Sequence, residues 1–365
     1  MRRFLIIIYL LPTLFFGGCT LSGASMSGTE RLAVVQALGV DREDGGVRLS
    51  MVTAADSSRG EGPVRLGGRG ATIAAAAEDA AAHAAEERIF FAHTAYLLVG
   101  EDSAREDVET LLRYVCRSRE LRMDVPLLIV RGASAERALT ESGGERIGAA
   151  ELLDALALAA PRRLGGDLPS AALIAGRLAE GGCALAAAVE CAPSSELEEG
   201  KHALTLAPAG LGVLRDGKLA AFLDNEEAVG ADLLCGARGR HEFVVTDRAG
   251  RRVTLRTAPG KTALRVIRGE DGAPEAIELT IRVSASVSEL DGEARLSDGD
   301  YADELSALLE RELLRRASSV LRLQRTLGAD LLSLRERSGL DGAAALPVRL
   351  GASVRVSHAN DVRDG

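Results

Sequence analysis

Hydrophobic positions along this chain repeat with two periods, and the first apolar run obeys neither. That run spans Phe4 to Phe16, follows Arg2 and Arg3, and stops at Gly17-Gly18-Cys19. It has the length of a signal-peptide core and falls short of the roughly 20 residues that a membrane-spanning helix needs. Residues 20–29, TLSGASMSGT, read as a flexible linker with an r.m.s. span of roughly 17 Å.

From residue 30 the pattern becomes that of a folded protein. RLAVVQALGVD and GVRLSMVTA flank REDGG and predict a β-hairpin. The glycines of EGPVRLGGRG (61–70) predict a loop, and ATIAAAAEDAAAHAAEE (71–87) a helix favoured by its alanines. Strand, helix and strand follow at TAYLLVGE, REDVETLLRYVCR and VPLLIVRG, with Ser134 placed to cap a helix at AERAL. Helices are predicted over 148–159 and 169–179, and an apolar strand from Ala184 to Val189.

The polar stretch APSSELEEGKHA (192–203) reads as a domain boundary between regions 30–195 and 200–365. Beyond it, Asp216-Gly217 marks one hairpin turn and HEFVVTDRAGRRVTLRTA a second hairpin. Ile277, Leu279, Ile281 and Val283 alternate along a long strand. Leu305, Leu309, Leu313, Val320, Leu323 and Leu327 share one face of a helix predicted over 302–327. At 1.5 Å per residue that helix is about 40 Å long. A closing strand alternates Val348, Leu350, Ala352, Val354 and Val356. Strands and helices are grouped in runs, which makes the fold class α+β rather than doubly wound.

Composition narrows the core. The chain is 47% hydrophobic but only 3% aromatic, without tryptophan, so its interior is built from small aliphatic side chains. Its length predicts two or three domains. The net charge is -9, and no polybasic segment follows Cys19, so an anionic membrane surface does not attract it electrostatically.

Candidate chemistry is sparse. Gly260-Lys261-Thr262 resembles the tail of a phosphate loop, but Leu255 stands where that loop needs a glycine. His83, His93, His202, His241 and His358 form no metal-binding spacing, and no G-x-S-x-G elbow is present. His93 reads as a hydrogen-bonded residue at a strand end. The basic cluster Arg238, Arg240, Arg248, Arg251, Arg252, Arg256, Lys261 and Arg265 lacks interleaved aromatics for base stacking. It reads as a solvated hairpin face or a contact for an acidic partner. No catalytic residue, cofactor or metal ligand is assigned, and the chain is expected not to be an enzyme or to bind nucleic acid.

The cysteines carry the one chemical expectation. Gly17-Gly18-Cys19 resembles the lipobox of bacterial lipoproteins, with Phe16 where leucine is usual. Cys19 would then receive S-diacylglycerol and an N-acyl group after removal of residues 1–18, leaving 19–29 as a lipidated linker. Two acyl chains anchor a protein stably where one does not. Cys116, Cys183, Cys191 and Cys235 show no C-x-x-C spacing and are expected as free thiols, a Cys183–Cys191 pair being the alternative.

The order of motifs resembles the C-subunit lipoproteins of spore germinant receptors, the GerAC-like or Ger(x)C family. The resemblance rests on Cys19, ERLAVVQALGVD (30–41), GRGATIAAA (68–76), RIFFAHTAYLLVGEDSARED (88–107) and LLRYVCRSRELRMDVPLLIVRG (111–132). Within these, Gln36, Gly39, Asp41, His93, Glu101, Arg117, Glu120 and Arg122 match the family pattern. GVLRDGKLAAFLDNEEAVGADLLCG, Gln324 and Asp330 extend the match into the C-terminal half, while Thr20 and Ser118 depart from it. The resemblance implies three small α+β domains, each a mostly antiparallel β-sheet packed with α-helices. It implies a lipid-anchored, non-enzymatic subunit on the outer face of the spore inner membrane. Its partners would be the integral-membrane A and B subunits, and its role a response to small-molecule nutrients. The alternative is a lipoprotein that binds a solute for a membrane transporter.

Overall fold

The first hairpin forms where the pattern places it. Strands β1 (Arg31–Glu43) and β2 (Gly46–Thr53) pair antiparallel around Asp44 and Gly45, whose φ angles are 50° and 77°. Two positive φ angles give the turn the twist that the flanking strands need. The computed structural model describes residues 31–54, 62–84, 87–143, 148–194, 204–291 and 299–357. The predicted signal segment 1–18, Cys19 and the linker 19–29 lie outside the described residues.

The glycine-rich stretch predicted as a loop is a strand. β3 (Arg65–Gly70) pairs with β2, and its glycines serve contact rather than flexibility. The alanine-rich helix α1 (Ile73–His83) lies so close that a Cβ on Gly68 would overlap the Ala76 carbonyl oxygen. Thr72 caps that helix by accepting from the Ala75 N–H at 3.1 Å. Glycine spacing signals close approach here, and nothing in the sequence separates that use from a turn.

β3, β2 and β1 form one wing of a nine-stranded sheet. Beside β1 lie β4 (Glu87–Phe90) and β5 (Tyr96–Gly100), then β6 (Leu127–Arg131), β7 (Cys183–Pro193), β8 (Leu204–Arg215) and β9 (Lys218–Leu223). Both wings are antiparallel, as expected. The centre is not: β1, β5, β6 and β7 are mutually parallel. Helical crossovers make this possible, through α2 (Glu101–Glu106) and α3 (Glu109–Arg117), then α4 (Ala135–Glu141), α5 (Ala149–Arg163) and α6 (Ala171–Gly181). All five residues of β5 are buried, because helices cover both faces of the sheet there. The polar stretch read as a boundary joins β7 to β8, which are neighbours in this sheet, so the sheet continues across it.

After α7 (Asn225–Cys235) comes a five-stranded sheet of β10 (Glu242–Thr246), β11 (Arg252–Thr257), β12 (Lys261–Arg268), β13 (Pro274–Leu290) and β14 (Val348–Ser357). β11 and β12 run end to end along one edge of β13, and β14 lies parallel along the other. Alternate residues of β10 are buried, so one face is covered and one open. The long helix α8 (Gly299–Leu327) covers it with Leu305, Leu309, Leu313, Ala317 and Val320, close to the predicted bounds. Two of its side chains also cap the outer edge of β14. Glu310 Oε1 accepts from the Val354 N–H at 2.9 Å, and Ser306 Oγ from the Val356 N–H at 3.2 Å. A short α9 (Leu334–Ser338) follows α8. The fold is α+β, with sheets packed against helices.

Three cores result. One face of the large sheet packs on α1, α2, α3 and α6. The other face is shared: α4 and α5 cover part of it, while α7, α8 and the second sheet cover the rest. α7 crosses α8 at Gly230, where a Cβ would lie 2.5 Å from the Arg316 carbonyl oxygen. Gly230→Ala should therefore cost about 1–3 kcal/mol through overpacking. Gly176→Ala, in open space on α6, should instead stabilise by up to about 1 kcal/mol through helix propensity. Urea denaturation of the two variants should show opposite shifts in midpoint.

Candidate functional site

In sheets with a parallel centre, ligands collect where the strands end and a helix N-terminus points at them. Here the protein fills that place itself. Asp41, at the end of β1, accepts from the N–H groups of Ala135 and Glu136 at 2.9 and 2.8 Å, in the first turn of α4. Ser134 caps the same helix by accepting from Arg137 N–H, as predicted. Glu101 accepts from the Gly132 N–H at 2.8 Å and from Arg105. A Cβ on Gly39 would lie 3.0 Å from that of Ala135, and one on Gly100 only 2.3 Å from Asp41 Oδ1. Three of the family-pattern positions, Gly39, Asp41 and Glu101, are thus explained by one turn, with an internal carboxylate standing where an anion would bind.

An open site lies on the shared face, where the α4–α5 cover meets α7 and the second sheet. It is a cavity of about 610 Å³. Its floor is Leu128 with Ala187, Ala188 and Gly210, small residues at a β-bulge between β7 and β8. Gly210 has φ 84°, and Ala209–Gly210 is the extra length that shifts the register opposite Ala188. Bulges of this kind re-aim a strand beside a site. Leu156, Leu164 and Leu168 form one wall, and Val229 contributes to the other. Arg162, Arg163, Arg240, Arg256 and Arg316 stand around it.

Below the cavity sits a buried polar tie. His241 Nε2–H donates to Asp232 Oδ2 at 2.8 Å, with both side chains about 5% exposed or less. Asp232 also accepts from the N–H groups of Arg238 and Gly239, at 3.2 and 2.9 Å. The His241 backbone is held in turn by Thr257, whose Oγ1 accepts from the His241 N–H at 3.0 Å. Gly165, with φ 74°, leaves room for the Asp232 carboxylate beside the segment after α5. The tie therefore joins the two covers. Elsewhere Arg177 ties α6 to the α9 region by pairing with Ser333 and Glu336, and Arg215 ties the end of β8 to α8 by donating to the Leu327 carbonyl.

The other predicted positions fall into place more simply. His93 is exposed, 5.5 Å from the Phe90 ring. Thr94, its neighbour, makes the local hydrogen bonds instead, to Phe91 O. His202 and His358 lie outside the described residues. Half of the basic cluster is neutralised: Arg248 pairs with Glu304, Arg251 with Asp247, Arg252 with Asp291 and Arg256 with Glu242. Gly260 interrupts β11 and β12, donating to Ala237 O at 2.7 Å, and forms no phosphate loop. Asp330 caps α9 by accepting from Leu334 and Arg335 N–H at 2.7 and 2.8 Å. Among the described residues no cluster of metal-ligating side chains occurs, and no helix is long and apolar enough to cross a membrane.

Cys116, Cys183, Cys191 and Cys235 are free thiols. Cys183 and Cys191 lie on the same strand, eight positions apart, or roughly 26 Å along it, too far to pair. Burial, and then the charge of Asp330, push the Cys183 thiol up to about 11. Sequence reasoning missed the Asp232–His241 tie and the cavity. The only available signal was a histidine five residues after Gly236, the glycine that ends α7.

Two family models match the chain. One, described as the spore germination protein N-terminal domain, covers residues 28–157, and the other, described as spore germination B3/GerAC-like, C-terminal, covers 209–338. The crystal structure of the GerBC protein aligns with 90% of this chain and 99% of its own, with a TM-score of 0.54 at 18% identity, a likeness of fold. No curated protein matches by sequence.

Two measurements test this description. Asp232→Ala would leave His241 and the backbone N–H groups of Arg238 and Gly239 without their acceptor, and should cost about 3 kcal/mol in chemical denaturation. Stability should also depend on acid. Burial pushes Glu101, Asp107 and Asp247 upward. Their hydrogen bonds from Gly132 and Arg105, Thr110 and Arg42, and Arg251 and Tyr301 outweigh it and hold each below its ordinary value. The unfolded chain then takes up protons first, so this stabilisation is complete at neutral pH. It should fade as pH falls through the range below about 4. A denaturation midpoint that stays level from pH 6 to pH 3 would contradict it.

Proposed function

Because the chain belongs to the GerAC-like family of spore germination proteins, that of the germinant receptor C subunits, we propose that it is a lipid-anchored, non-enzymatic subunit of such a receptor. In this reading Cys19 carries the anchor, on the outer face of the spore inner membrane. The integral-membrane A and B subunits are its partners, and the complex responds to small-molecule nutrients. The observation that carries the reading is the pair of family matches, which falls on both halves of the chain in order. The use of the carboxylates supports a scaffold role: Asp41, Asp232 and Asp330 each hold backbone N–H groups with both oxygens.

The cavity favours a second reading, a lipoprotein that binds a solute for a transporter. Its walls, however, stand on a single continuous sheet, whereas a hinged solute binder closes two separate lobes around its ligand.

Intact-mass measurement of membrane-extracted protein tests the anchor. The wild type should lack residues 1–18 and carry a diacylglyceryl increment on Cys19, and Cys19→Ala should keep its full length. Gentle solubilisation should recover integral-membrane partners with the wild type. An unmodified soluble chain, or a lipidated chain recovered alone, would overturn the reading.

A further inference from the structure

The cavity at the seam has a charge opposite to that of the protein. The chain carries a net charge of -9, yet five arginines and His241 surround the cavity against only Glu226 and Glu242. Most of these charges have work elsewhere. Glu242 is paired with Arg256, and Glu226 with Arg315 and Arg316, while Arg316 also lies over the Phe243 ring at 4.5 Å. Arg162, Arg163 and Arg240 are exposed, and none of their guanidinium groups makes a hydrogen bond or ion pair with a described residue. Arg162 and Arg163 stand in the last turn of α5, where they complement its dipole. Arg240 comes from the opposite wall, in the loop before β10, so helix chemistry does not account for it.

Beneath these guanidinium groups the lining is aliphatic, from Leu128, Leu156, Leu164, Leu168, Val189 and Val229. The floor is built from small residues. Ala187 and Ala188 line it at the bulge, and Gly210, where a Cβ would lie 2.0 Å from the Leu223 carbonyl oxygen, lets β8 run close against the end of β9. A volume of about 610 Å³ falls within the range of small-molecule sites, roughly 300–1,000 Å³. Three unpaired arginines over an apolar floor fit one ligand chemistry. Arginine recognises carboxylate or phosphate oxygens in pairs, and the floor takes up hydrocarbon.

We propose that this cavity binds a small amphipathic anion, an aliphatic body ending in a single carboxylate or phosphate group, with Arg162, Arg163 and Arg240 at the head. The inference is independent of the anchor. A chain that is never lipidated would still bind, and a lipidated receptor subunit without this site would keep its membrane role.

The absence of tryptophan supplies the test. Leu156→Trp places the sole indole in the cavity wall of the full chain, reconstituted in phosphatidylcholine vesicles. Octanoate or octyl phosphate should shift its emission saturably, and whichever binds more tightly identifies the head group. Octanol should bind at least fivefold more weakly, and inorganic phosphate alone should give no shift. Arg163→Gln with Arg240→Gln should weaken the anion at least fivefold, while the remote Arg119→Gln should leave it unchanged. Equal binding of octanol, an equal response to inorganic phosphate, or an unaffected double variant would overturn the proposal. So would the lack of a saturable response in a chain of wild-type circular dichroism. Should Leu156→Trp misfold, the wild-type melting midpoint provides a second reading. It should rise with octanoate but not octanol, because a ligand that binds only the folded state stabilises it. A level midpoint would likewise count against the site.

Discussion

One face of the nine-stranded sheet is shared by two covers, a pair of helices and a second sheet with its helices, and the rest of the molecule is arranged around that division. α4 and α5 cover the part above β1, β5, β6, the later half of β7 and the start of β8, and α7, α8 and the second sheet cover the part above the start of β7, the later half of β8 and β9. Leu164 packs against both cores and marks the line where they meet. Cylinders and sheets laid side by side on a twisted floor do not close perfectly. Part of the gap is filled by the Asp232–His241 tie, and part remains as the cavity. Because the floor runs unbroken beneath both covers, neither half can tilt without disturbing strands that the other half buries.

A core made of alanine, glycine and leucine offers little area per residue, and burial at roughly 25 cal/mol per Å² gives each alanine only a modest contribution. The chain compensates in two ways. Glycines let elements approach closely, as Gly68 does beneath α1 and Gly230 between α7 and α8. Carboxylates then fix position. Asp41 and Asp330 hold helix starts, Asp247 holds the β10–β11 turn with Tyr301, and Asp232 holds the seam. Such charge-assisted bonds are about twice as strong as neutral ones and are directional, which a small-residue interior is not.

Much of this was legible in the sequence because local rules governed it. The turns at Asp44-Gly45 and Asp216-Gly217 follow from their residues, and α8 from a leucine stripe that only a helix can align. The strand β3 was not legible, since glycine in a strand and glycine in a loop look alike until the opposing helix is in place. Nor was the parallel centre of the sheet, since strand direction is set by crossovers and leaves no mark on a short apolar run such as LLIV. The seam was hidden for a third reason. Gly165, Asp232 and His241 come from distant stretches, and each is unremarkable where it stands in the chain.

The pairing of β13 has a consequence for how the chain is made. Its hairpin partner β12 immediately precedes it, but β14, along the opposite edge, is the last strand described. During synthesis that edge waits, with its backbone groups unpaired, until the intervening α8 and α9 have emerged. An open strand edge invites pairing with another chain. A polypeptide cut short before Val348 would therefore do more than lose contacts. It would keep a long, regular, unprotected strand and become a seed for association, so β14 acts as the molecule's guard against its own copies.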